Sequence, residues 1–235
     1  MKELKNLSKE KFYGITNIFE DQMSKISNKI LLLLFNLISG LILFLPYKQS
    51  ENIIGGEILK VLLYLIIGVY LLGAVFSIIL ILMVLIKKNV DRLINLSVVS
   101  GTIIFTLSLL ITYITNIVYE GYLDIFWIIA LISFILTYVG ILIYNNKIKR
   151  RLIDGYYIKE NYRYKFNPRY LLFILPLVPM LIPIANKGKY ITEVFGTLYY
   201  LLGLNYGIIL ITAVLGVFAL KRMYYVYQIN NVKRV

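Results

Sequence analysis

Residues 59–86 read LKVLLYLIIGVYLLGAVFSIILILMVLI, a run of 28 residues whose one charge is Lys60. As a helix, at 1.5 Å per residue, it would reach about 42 Å, beyond the ~30 Å hydrocarbon thickness of a bilayer. Only a helix of such length satisfies its own backbone across that thickness. The run is read as a membrane span.

Five further runs share this character: 30–47, 93–118, 122–144, 170–186 and 196–220. Across all six, the ionisable Asp, Glu, Lys or Arg residues are Lys60 and Asp124, each close enough to a span end to reach the headgroups. The composition of the 235-residue chain agrees. It is 60% apolar and 16% charged, whereas a water-soluble domain carries about a quarter of its residues charged. The expected fold is all-α, a polytopic six-transmembrane-helix bundle.

Orientation follows from Lys and Arg. Residues 1–29 hold six, the second connection holds three (Lys87, Lys88, Arg92), the fourth holds eight and the tail 221–235 holds four. The remaining connections and span ends hold Lys48, Lys60, Lys187 and Lys189. The 21 and the 4 alternate from connection to connection, so both termini are expected in the cytoplasm and the protein in the cell membrane. The net charge of +13 is read as this topology signal and not as a nucleic-acid footprint. Many of the 21 tyrosines, among them Tyr47, Tyr144 and Tyr170, sit at span ends, where an amphipathic ring suits the headgroup layer. No small-residue cleavage site follows the first span, so it is expected to be retained.

Before that span, Phe12, Ile15, Phe19, Met23, Ile26 and Ile30 recur at steps of three and four. Residues 1–29 are thus expected to form an amphipathic helix lying in the cytoplasmic interface. The fourth connection, 145–169, interleaves Lys147, Lys149, Arg150, Arg151, Arg163, Lys165 and Arg169 with tyrosines. It is expected to contact anionic lipid headgroups or to dock a cytoplasmic partner. Ile148, Leu152 and Tyr156 keep helical spacing, which extends the fourth helix until Gly155 stops it.

Within the spans, Ser97, Ser100, Gly101, Ser108, Thr112 and Thr115 fall on one face of the third helix, with Thr102 and Thr106 opposite. Ala130, Ser133, Thr137 and Gly140 make a matching stripe on the fourth. Small residues and hydroxyls are what helices use to associate in lipid, so these two faces are expected to pack together, with a hydroxyl-lined conduit as the alternative use. Asn36, Asn116 and Asn205 are expected to bond between helices. Pro176, Pro179 and Pro183 kink or break the fifth span, since each removes a backbone donor.

The absences narrow function. With no Cys and no His, imidazole bases, thiolates, zinc sites and haem or iron–sulfur ligation are excluded. No acidic relay lies at mid-membrane depth, no pair of buried carboxylates is available, and no glycine-rich phosphate loop exists. No enzymatic activity, cofactor or metal is expected. What remains is an interaction protein that binds another membrane component, such as an accessory or toxin-immunity protein of a bacterial secretion or bacteriocin system. The alternatives are a permease subunit served by a separate ATPase, whose six-span layout it resembles without a shared motif, and a passive small-solute channel. A homo-oligomer is compatible with each. Abundant Ile, Lys, Asn and Tyr beside five alanines suggest an AT-rich, low-GC bacterial source.

Overall fold

In the computed structural model, residues 4, 7–39, 57–119, 126–160 and 194–232 are described. They are helical, with no strand among them. A 3-10 turn at Lys9–Phe12 leads into α1 (Tyr13–Met23), followed by α2 (Ile26–Ser39), α3 (Glu57–Leu85), α4 (Asp91–Tyr119), α5 (Phe126–Ile153) and α6 (Val194–Val232). Four stretches are long and apolar enough to cross a membrane: Lys60–Leu85, Asp91–Thr115, Ile128–Ile153 and Leu201–Asn230. The described part of the first expected span belongs to a shorter apolar helix, Ile26–Ile38. The fifth expected span, 170–186, lies outside the described residues.

The centre of the bundle is α4, which packs against α2, α3, α5 and α6. Of its apolar stretch 61% is buried inside the protein, against 11% for α3. The order follows from the solvent. In lipid, Leu and Ile gain nothing by leaving hydrocarbon, so the leucine-rich α3 can stay outside while the helix richest in Ser, Thr and Gly is enclosed. Along α3, Leu65, Leu72 and Val75 are exposed, whereas Leu63, Ser77, Leu80 and Val84 face inward.

The chain after α3 and after α5 closes on a left-handed residue. After α5, Gly155 has φ 73°, the Tyr156 N–H donates to the Arg151 carbonyl at 2.9 Å, and the Gly155 N–H to that of Leu152 at 3.2 Å. This is a Schellman cap, and glycine enters it without steric cost. After α3 the same bond pattern runs from Lys88 to Met83 and from Lys87 to Val84, both at 3.0 Å. There Lys87 adopts φ 58° with a full side chain.

The N-terminal segment forms a 3-10 turn and α1, and packs on the bundle. The apolar face of α1 is spent on protein. Phe12, Ile15 and Phe19 are almost completely buried in a cluster with Ile148 and Leu152 of α5, Tyr157 beyond it, and Tyr224 and Tyr225 of α6. Met23 joins a second cluster with Leu33, Leu80, Val84, Ile94 and Val98. Burying such side chains is worth roughly 1.5–3 kcal/mol each whether the apolar phase is lipid or protein, so transfer alone does not choose between them. Directional bonds add to the packing on protein. The Gly14 N–H donates to the Tyr157 carbonyl at 2.7 Å, and Lys11 Nζ donates to the Ile153 carbonyl at 2.5 Å.

Candidate functional site

Two polar nodes and one crevice organise the described interior. The first node joins α2, α3 and α4. Asn36 Nδ2 donates to both the carbonyl and the Oγ of Ser97 at 2.8 Å, and Ser97 Oγ lies 3.2 Å from Ser77 Oγ. All three side chains are buried. The fit depends on Gly101, because a Cβ there would fall 1.9 Å from Asn36 Oδ1. Close approach of the amide to the α4 backbone is therefore the physical use of this glycine.

The second node lies at the charged end. Arg222 of α6 has no exposed surface and is the largest fully buried side chain among the described residues. Its Nε donates to Asn95 Oδ1 of α4 at 2.5 Å, Nη1 reaches Gln22 Oε1 at 3.5 Å, and Nη2 lies 3.7 Å from Met23 Sδ. The guanidinium also stands over the rings of Phe19 and Phe218, 5.0 and 5.5 Å from their centroids. These partners are neutral. Cation–π attraction and amide dipoles replace the carboxylate that usually accompanies a buried guanidinium. Asn95 is held in turn by its own bond to the Asp91 carbonyl at 2.7 Å, and Asp91 Oδ1 pairs with Lys29 Nζ at 2.6 Å. Residues from α1, α2, α4 and α6 thus meet in one linked network.

The sequence stripes are placed differently from their expected face-to-face packing. Ser97 and Gly101 face α2 and α3, through Asn36 and Ser77. Ser108, Thr112 and Thr115 bond the carbonyls four residues back on their own helix, and Ser100, which is exposed, bonds that of Ser97. On α5, Ser133 lies 3.5 Å from Asn205 Nδ2 of α6, and Ala130 packs among Tyr113, Leu201 and Ile208. Thr137 bonds its own helix at the Ser133 carbonyl, and Gly140 is exposed with open space beside it. The hydrogen bond between α4 and α5 comes from the opposite face, where Thr106 Oγ1 and Tyr138 Oη are 3.1 Å apart. The physical reason is the central position of α4: a helix surrounded on all sides has more than one packing face, and a single stripe cannot name each neighbour.

The crevice lies between α4, α5 and α6, with a volume of about 190 Å3 and nearly apolar walls. Gly216 and Ala219 keep α6 slender beside it.

Of the basic docking residues, Lys147 and Arg150 are exposed while Lys149 and Arg151 are half-buried. Lys147 stands 5.8 Å from the Tyr144 ring centre and Arg151 stands 4.9 Å from that of Tyr156. Arg163, Lys165, Arg169, Pro176, Pro179 and Pro183 lie outside the described residues, as does the side chain of Asn116. No cluster of potential metal ligands occurs among the described residues. The sequence reading missed Arg222 as a site, having counted it as one tail charge among four. The available signal was the apolar face of α1, which needed a partner as much as a membrane.

Comparison with protein families, with characterised proteins and with solved structures finds no match.

Proposed function

We propose that this chain is a non-enzymatic integral membrane protein that works through contacts with another membrane component, as an accessory or toxin-immunity protein of a bacterial secretion or bacteriocin system would. Its six spans would run with both termini in the cytoplasm, and the partner would meet either the outer face of α3 or the basic end. The observation that supports this reading is how the polar groups of the spans are used. Asn36, Ser77 and Ser97 bond to one another, and Ser108, Thr112, Thr115 and Thr137 bond to their own helices. The first three tie helices together, the other four are satisfied within their own helices, and the lipid-facing and basic surfaces are left as the places to act.

The reading is tested with photo-crosslinking residues placed at Leu72 on α3 and at Lys147 and Arg150, in intact membranes of the native host. Capture of a defined membrane protein or membrane-active peptide is the expected result. Capture of a soluble ATPase would replace it with the permease reading. That alternative draws support from helix length: α3 and α4 each have 29 residues, or about 44 Å, enough to project beyond hydrocarbon and present a coupling surface. Proteoliposomes leaky to small solutes with neither partner captured would favour the channel.

A further inference from the structure

We propose that the cavity between the N-terminal segment and the last turns of α6 binds a primary ammonium group on a short apolar stem. The cavity has a volume of about 480 Å3, with Glu10, Tyr13 and Glu20 on one side and Tyr225, Gln228 and Ile229 on the other. That is the size of a small-molecule site, and its walls are mostly apolar with a few polar groups. Two of those groups lack partners. Gln228 is 7% exposed and Tyr225 is 5% exposed, and neither the amide nor the hydroxyl has a hydrogen-bond partner among the described residues. Neither is sealed in the packing, unlike the hydroxyls of Thr212 and Tyr227. Thr16, also in the wall, is already bonded to the carbonyls of Phe12 and Tyr13. A polar group so far removed from bulk water is costly until it is bonded, so the wall is chemically incomplete at these two side chains.

Charge selects the occupant. Glu10 and Glu20 are exposed at the rim, and neither pairs with a cation among the described residues. With Lys9 the lining carries two negative charges against one positive, a local reversal in a chain of net charge +13. The charges that act on the Tyr225 hydroxyl are, in order of strength, the carboxylates of Glu20 and Asp91 and then the opposing Arg222. An ammonium has three donors and no acceptor, and Gln228 Oε1, Tyr225 Oη and a Glu20 oxygen are three acceptors for it. The rings of Tyr13 and Tyr225 and the side chain of Ile229 offer cover to the stem. An anion would meet two carboxylates, and a neutral alcohol would bond the amide without using the charge. The ammonium can belong to a free amine or to a lysine side chain of a partner, and the test separates the two.

The test is calorimetric titration of the full-length protein, in an uncharged detergent at pH 7, with n-butylamine, n-butanol and butyrate, and with a short N-acetylated peptide containing one lysine. Butylammonium is expected to bind about fivefold more tightly than butanol, and butyrate more weakly than either. Glu20→Gln is expected to weaken the amine about threefold, and Gln228→Leu about tenfold. Lys9→Ala, which removes the opposing charge, is expected to tighten it about twofold. Lys9 and Glu20 are exposed, so their substitution tests charge without disturbing the packing. Peptide binding tighter than butylamine would support the proposal and assign the group to a partner's lysine, and the reverse order would support it for a free amine. Equal affinity for the three butyl compounds would overturn the proposal, as would wild-type affinity for butylamine in both Glu20→Gln and Gln228→Leu.

Discussion

Arg222 of α6 donates a 2.5 Å hydrogen bond to Asn95 of α4, and through it the N-terminal helix is fastened to the bundle. No acidic side chain pairs with the guanidinium among the described residues. The same cation is stacked on Phe19 and reaches Gln22 and Met23, so one buried charge ties α1 to two other helices. The amphipathic N-terminal segment is here a clasp across the charged end.

Arg222→Ala is expected to release α1. The loss combines two cation–π contacts with orphaned amide groups and a void, about 3 kcal/mol in total. Trypsin cleavage at Lys9 and Lys11 should accelerate at least tenfold in detergent, ahead of global unfolding. Arg222→Lys should resemble Ala more than wild type, since an ammonium cannot reproduce the planar stacking and forked donors.

Gly101→Ala forces Asn36 out of its position, because the new methyl would overlap the amide oxygen. A destabilisation of about 2–3 kcal/mol is expected from this overpacking and the lost α2–α4 bonds. Adding Asn36→Ala should recover part of it, and a double-mutant cycle by thermal unfolding measures the coupling.

Ser97 and Ser108 carry the same chemistry with different consequences. Ser97→Ala removes bonds to two neighbouring helices and should cost about 1 kcal/mol, whereas Ser108→Ala loses a bond within its own helix and should stay within about 0.5 kcal/mol. Equal effects would show that the two hydroxyls are not used as described.

Lys87→Gly should stabilise the α3–α4 connection by about 1 kcal/mol, since φ 58° suits glycine and burdens any residue with a Cβ. A raised melting temperature with unchanged insertion is the expected readout.

The spans of α3, α4, α5 and α6 were legible in sequence because lipid imposes a length and an apolar content that few other environments demand. The end of α5 at Gly155 was legible too, because a left-handed cap favours one residue type. Packing partners were less so. Ser97 and Ser133 sit on matching stripes, yet the first serves α2 and α3 and the second lies beside α6, because the stripes record that a face is enclosed and not by which neighbour. The fate of α1 was hidden for a related reason. Phe12, Ile15 and Phe19 require an apolar phase, and periodicity is blind to whether lipid or the rings of Tyr224 and Tyr225 supply it.

The central claim is that the basic segments share one side of a bilayer crossed by apolar helices. Because the chain contains no cysteine, single substitutions at the exposed Lys9, Lys88 and Lys147 can be probed with a membrane-impermeant maleimide in intact and opened cells. All three positions are expected to label after the cells are opened. Labelling of Lys147→Cys from outside intact cells would contradict the account.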